Sequence, residues 1–69
     1  MMSDPIETAA LAARMRADGW KEVLERVTAY DDKGNPEYQV DATNPFTDQR
    51  VYIPNLNVYH VHYGAPQAQ

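Results

Sequence analysis

The first twenty residues have the hydrophobic and polar pattern of a helix with a signal at each end. Asp4 is a favoured N-cap residue, Pro5 suits the first helical position, and Glu7 suits the positive end of the helix dipole. The residues between are almost all strong helix formers, and Gly19 provides the left-handed residue that ends many helices. The pattern predicts a helix over residues 5–18.

The apolar positions of this helix are mostly small. Their helical spacing predicts one buried stripe, which consists of Ile6, Ala10, Ala13 and Ala17. Leu11 and Met15 lie beside this stripe. Trp20, just past the glycine, is placed to fold back onto Met15. Because alanine buries little area, we expect the helix to depend on the rest of the fold or on a partner.

Residues 20–30 fit two patterns. Their apolar positions match a helical template, yet a turn-forming cluster follows at 31–36, and residues 37–42 then alternate between polar and apolar. A turn followed by alternation is typical of a β-hairpin, which favours a strand from Val23 onward. A short second helix that ends near Arg26 is the alternative.

The remaining residues add further short segments with strand patterns. A second turn cluster at 43–49 precedes Arg50–Ile53, and residues 57–63 alternate again after the interruption at Pro54 and Asn55. The prediction is therefore an α+β fold in a single small domain, residues 1–69. It has the helix at about 5–18, an antiparallel β-meander of three to four strands, and an extended tail at 64–69.

Composition and charge narrow the classes of function. The chain has no cysteine, which excludes disulfides, thiolate zinc sites and cysteine nucleophiles. Its net charge of −4 argues against nucleic acid or an anionic membrane as a partner. The start has no signal-peptide pattern, and no apolar run approaches the roughly 20 residues that span a bilayer. We expect an intracellular or virion protein that is neither secreted nor embedded in a membrane.

The strongest hint of chemistry is the pair His60 and His62. On a strand, both imidazoles would lie on one face about 7 Å apart, a spacing that metal sites use. No third ligand stands at a recognisable spacing. The chain also has a single serine, at position 3, and no glycine-rich phosphate loop. We therefore predict no metal, no cofactor and no catalytic residue, and we place a metal-binding enzyme third among the possible functions.

Residues 51–69 contain no formally charged side chain but are rich in tyrosine, histidine and asparagine. This composition is typical of a recognition surface, although a strand buried in the protein's own core would look the same. Both alternatives stay open. If the segment is a surface, it predicts a partner interface formed by Tyr52, Leu56, Tyr59, His60, His62 and Tyr63.

Together these features favour a non-enzymatic structural or interaction protein. The specific hypothesis is a minor component of a large assembly such as a phage virion, of the cement, decoration or connector type. Its partners would be copies of itself or larger assembly subunits. The alternative is a small acidic inhibitor, of the kind that phages encode, which binds a host defence protein or enzyme.

Overall fold

The computed structural model describes residues 5–64 and confirms the α+β fold. A three-stranded antiparallel sheet, whose strands lie side by side in chain order, packs with two helices. The elements in chain order are α1 (Pro5–Ala17), β1 (Lys21–Tyr30), β2 (Pro36–Thr43), β3 (Arg50–Ile53) and α2 (Leu56–Tyr63). The predicted N-cap Asp4 and tail residues 65–69 lie outside the described range.

Helix α1 ends as its sequence predicts. Gly19 has a φ of 94°, and its N–H donates to the carbonyl of Arg16 at 3.1 Å. The N–H of Trp20 donates to the carbonyl of Met15 at 3.0 Å, so the two bonds together form a Schellman motif. The side chains of Trp20 and Met15 both belong to the core.

The predicted buried stripe of α1 is wrong. The helix buries a different face, and Ile6, Ala10, Ala13 and Ala17 are exposed. The buried residues are Thr8, Leu11, Ala12 and Met15. Leucine and methionine remove more apolar surface from water than alanines do, so the orientation that buries these two larger side chains is favoured.

Residues 21–30 form strand β1, so the alternative of a short second helix is wrong. The turn after β1 is held by Asp31, whose Oδ1 accepts from the N–H of Lys33 at 2.9 Å and of Asn35 at 2.8 Å. These local bonds satisfy the turn backbone and bring β2 back beside β1. The register between the two strands shifts at two places, one of them near Glu22, whose φ is 50°.

The sheet has one covered and one open face. Val40, Ala42 and Ile53 belong to the core with residues of both helices. On the other face, Leu24 and Tyr52 flank Asp41 in neighbouring strands and are exposed. Asp41 is buried but paired, since its two carboxylate oxygens contact Arg26 and Gln39. The helices therefore occupy one side of the sheet.

The prediction of a fourth strand over residues 57–63 is wrong, because this segment is helix α2. Asn55 caps its start, with Oδ1 accepting from the N–H of Val58 at 2.9 Å. Gly64, predicted as the first residue of the tail, ends it with a φ of 94° and donates to the carbonyl of His60 at 2.9 Å. A carboxylate oxygen of Glu7, on α1, also accepts from the N–H of Leu56 at 3.3 Å.

Neither helix in the range 5–64 has the length and apolar character needed to cross a membrane.

Candidate binding pocket

A cavity of about 300 Å³ lies where the C-terminal end of α1, the loop between β2 and β3, and the last turn of α2 meet. Four of its eight lining residues are aromatic. The lining consists of Arg14, Asp18, Trp20, Asn44, Pro45, Phe46, Tyr59 and Tyr63. We call Asp18, Trp20 and Tyr59 the pocket floor, and Phe46 and Tyr63 the pocket rim.

The centre of the pocket floor is the hydroxyl group of Tyr59. It donates to Asp18 Oδ2 at 2.6 Å and accepts from the indole Nε1 of Trp20 at 3.1 Å. The Tyr59 side chain is only 1% exposed, so these bonds satisfy a polar group that has little access to water. They also join α2 to the end of α1 across 41 positions of sequence.

Asp18 is shared between Tyr59 and Arg14. Arg14 Nε donates to Asp18 Oδ2 at 2.8 Å, and the guanidinium carbon of Arg14 lies 5.6 Å from the centre of the Tyr59 ring. Both bonds to the Asp18 carboxylate therefore end on Oδ2. No residue between 5 and 64 donates to Oδ1, which leaves one carboxylate oxygen in the lining able to accept a further hydrogen bond.

The same contacts determine the protonation states of the floor. Burial, followed by the hydrogen bond to Asp18, raises the pKa of Tyr59 to about 12. The hydrogen bond from Tyr59, reinforced by Arg14, lowers the pKa of Asp18 below its ordinary value despite some desolvation. At neutral pH the floor thus presents a neutral phenol and a charged carboxylate.

The aromatic rings form a corner. Trp20 and Tyr63 meet nearly at right angles, at 86° with ring centres 5.0 Å apart, whereas Tyr59 and Tyr63 are stacked at 5.3 Å. Trp20 is 8% exposed and Tyr63 is 41% exposed. The Trp20 ring therefore belongs to the core, whereas the Tyr63 ring is accessible from outside.

Phe46 completes the rim from the loop between β2 and β3, and its side chain is 92% exposed. The backbone beneath it is held by Asn44, whose Oδ1 accepts from the N–H of Phe46 at 2.7 Å and of Thr47 at 3.1 Å. The loop is closed by a bond from the Asn44 N–H to the carbonyl of Gln49 at 2.8 Å. The backbone position of this exposed aromatic is thus determined by the loop itself.

The structure separates the residues that the sequence grouped as one interface. Tyr59 and Tyr63 both line the pocket, but Tyr59 is buried in its floor. Tyr52 lies on the open face of the sheet, and Leu56 packs half-buried against the core. Because residues two apart on a helix are about 200° apart around its axis, His60 and His62 do not share a face. The prediction that the two imidazoles share one face, which holds only for a strand, is wrong.

Six of the eight lining residues are not among the residues that the sequence predicts for a site, and three of these six, Asp18, Trp20 and Phe46, belong to the floor and the rim. Trp20 had a signal, since an aromatic just after a helix stop often folds back. Asp18 and Phe46 had none, because an acid at a helix end and an aromatic in a turn cluster have no distinctive spacing. Their common location depends on how α1, α2 and the loop pack.

Within residues 5–64, no three histidine, aspartate or glutamate side chains come together in a way that could hold a metal ion. His60 Nε2 is buried and has no hydrogen-bond partner there. The absence of a metal, a cofactor and enzymatic activity stays a prediction.

No family model matches the sequence, and no curated protein or solved structure is significantly similar to it.

Proposed function

We propose that this protein is a non-enzymatic interaction protein whose pocket rim binds a protein partner. The observation that supports it is Phe46, a 92% exposed aromatic whose backbone is held in place beside an aromatic cavity. Burying such a side chain contributes about 1.5–3 kcal/mol, and this gain is unused in the isolated chain.

The loop makes Phe46 suitable as an anchor. A side chain on a mobile loop loses conformational entropy when it binds, which reduces affinity. Asn44 already orders the backbone of Phe46 and Thr47 before any partner arrives. Buried aromatic anchors at the centre of an interface are typical hot spots, and their truncation costs about 2 kcal/mol or more.

The chemistry of the floor also favours binding over catalysis. A phenol with a pKa of about 12 is a weak acid and a poor nucleophile at neutral pH. Our specific proposal is that the protein is a minor component of a large assembly, such as a virion, and binds copies of itself or larger subunits. A small domain with a pre-ordered aromatic rim is suited to that role.

The experiment compares Phe46→Ala with Val61→Ala. Val61 is a matched control because it is 73% exposed on α2 and does not line the pocket. Self-association is measured by sedimentation velocity, and partner capture is measured with each variant as bait in a lysate of the encoding organism. We expect an association that wild type and Val61→Ala share and that Phe46→Ala weakens at least tenfold.

Two results would contradict the proposal. One is an association that both variants retain equally, which would place the interface elsewhere. The other is a chain that neither self-associates nor captures any protein in a manner dependent on Phe46.

A further inference from the structure

We infer that the pocket receives a basic side chain, the guanidinium of arginine or the ammonium of lysine, presented by the protein partner. This inference rests on the proposed function and specifies the chemistry of the partner. It starts from the Asp18 carboxylate, which lines the cavity and takes both of its hydrogen bonds on Oδ2. Oδ1 retains its capacity to accept, and a cationic donor forms the strongest hydrogen bond with a carboxylate.

The rings around the carboxylate supply the second part of such a site. Trp20 and Tyr63 stand nearly perpendicular, and Phe46 lines the same cavity. Aromatic faces arranged around a cation attract it through their quadrupoles, most strongly where water is excluded. The protein already contains one example, since the Arg14 guanidinium both bonds Asp18 and lies over the Tyr59 ring.

Other occupants fit the lining less well. The Asp18 side chain is 33% exposed, so an apolar side chain in the cavity would remove its carboxylate from water without bonding Oδ1, and this desolvation is costly. An anion would face that same carboxylate, and Arg14, the basic side chain of the described lining, is already paired with Asp18. The volume of about 300 Å³ is at the lower limit of ligand pockets, which suits one side chain better than a larger molecule.

The test titrates isotope-labelled protein with the peptides Gly-Gly-Arg-Gly-Gly, Gly-Gly-Lys-Gly-Gly and Gly-Gly-Leu-Gly-Gly, and with tetramethylammonium. Trp20 is the only tryptophan, so its indole N–H gives one resonance that reports directly on the floor. We expect saturable shifts with the two basic peptides and binding at least about tenfold weaker with the leucine peptide.

Two variants locate the binding. Asp18→Asn should weaken binding of the arginine peptide about tenfold. Asp48→Asn removes an equal charge from the exposed neighbouring loop and should leave the affinity for this peptide nearly unchanged. Asparagine is tolerated at position 48, where φ is 63°. If Asp18→Asn fails to fold, Tyr63→Ala is the second variant. It removes the accessible aromatic ring of the cavity and should weaken binding of the same peptide severalfold.

Several outcomes would contradict binding of a basic side chain in the pocket. Equal binding of the leucine peptide, an equal loss in Asp48→Asn, or no shift of the Trp20 indole resonance with any peptide would overturn the inference. Tetramethylammonium binding as tightly as the arginine peptide would also overturn it, because the site would then select a small cation and not a partner's side chain. The proposed function fails separately, on the comparison of Phe46→Ala with Val61→Ala.

Discussion

Tyr59 and Tyr63 stand one helical turn apart on α2 and line the same cavity, yet they belong to two different regions. Tyr59, in the pocket floor, is 1% exposed and bonds Asp18 and Trp20, whereas Tyr63, in the rim, is 41% exposed. The rim also contains Phe46, whose side chain is almost fully exposed. The floor therefore connects the helices, and the rim is accessible to a partner.

The difference resolves part of an ambiguity in the sequence. Residues 51–69 have a composition that suits both a core segment and a recognition surface, and each description fits one of the two tyrosines. Amino-acid type does not separate them. The separation comes from the position of each side chain relative to α1, and it can be tested by comparing substitutions in the floor with substitutions in the rim.

The largest expected effect is that of Tyr59→Ala. Removing this buried ring should lower the free energy of unfolding by about 3–5 kcal/mol, a loss close to the whole stability of a domain this small. Chemical denaturation followed by circular dichroism measures it, with Tyr63→Ala as the matched control. Equal losses in the two variants would contradict the distinction between floor and rim.

Tyr59→Phe isolates the hydroxyl group and should have a smaller effect. The ring stays, but the indole of Trp20 and the carboxylate of Asp18 each lose a partner, so we expect a loss of about 1–3 kcal/mol. The same denaturation experiment measures it. A variant as stable as wild type would show that water replaces the hydroxyl group at no cost.

The raised pKa of Tyr59 predicts a dependence on high pH. Its folded-state pKa of about 12 exceeds the ordinary tyrosine value of 10.0, so the unfolded state releases the phenolic proton first. The contribution of this group to stability is complete below pH 10 and is lost as the pH rises toward 12. Tyr59→Phe lacks the group, so the stability difference between wild type and variant should shrink over this interval. A constant difference would refute the pKa assignment.

The smallest expected effect on stability belongs to the rim. Phe46→Ala removes a side chain that is almost wholly in water, so its free energy of unfolding should stay within about 0.5 kcal/mol of the wild-type value. Chemical denaturation measures this value on the same Phe46→Ala protein that is used to test partner binding. A loss of 2 kcal/mol or more would mean that Phe46 packs in the fold, and the rim would not be free for a partner.

Elements with local signals could be predicted from the sequence. The stop of α1 at Gly19 and the turn around Asp31 depend on bonds between residues a few positions apart, and both are present. Helix α2 had such signals too. Asn55 is a good N-cap, Gly64 is a typical terminator, and Leu56, Tyr59 and Tyr63 are spaced as on one helical face. The alternation over residues 57–63 predicts a strand instead, and that prediction is wrong because the caps at both ends and the burial of Tyr59 stabilise a helix.

The sequence by itself determined the helix α1, the hairpin and the absence of thiol chemistry, because short-range bonds and residue types are sufficient for these. Only the tertiary structure decided which face of α1 is buried, that His60 and His62 diverge, and that Asp18, Trp20, Phe46 and Tyr63 meet at one cavity. The bond between Asp18 and Tyr59 spans 41 positions. Contacts at that separation depend on how the helices pack on the sheet, and no local pattern encodes which of two similar tyrosines becomes buried.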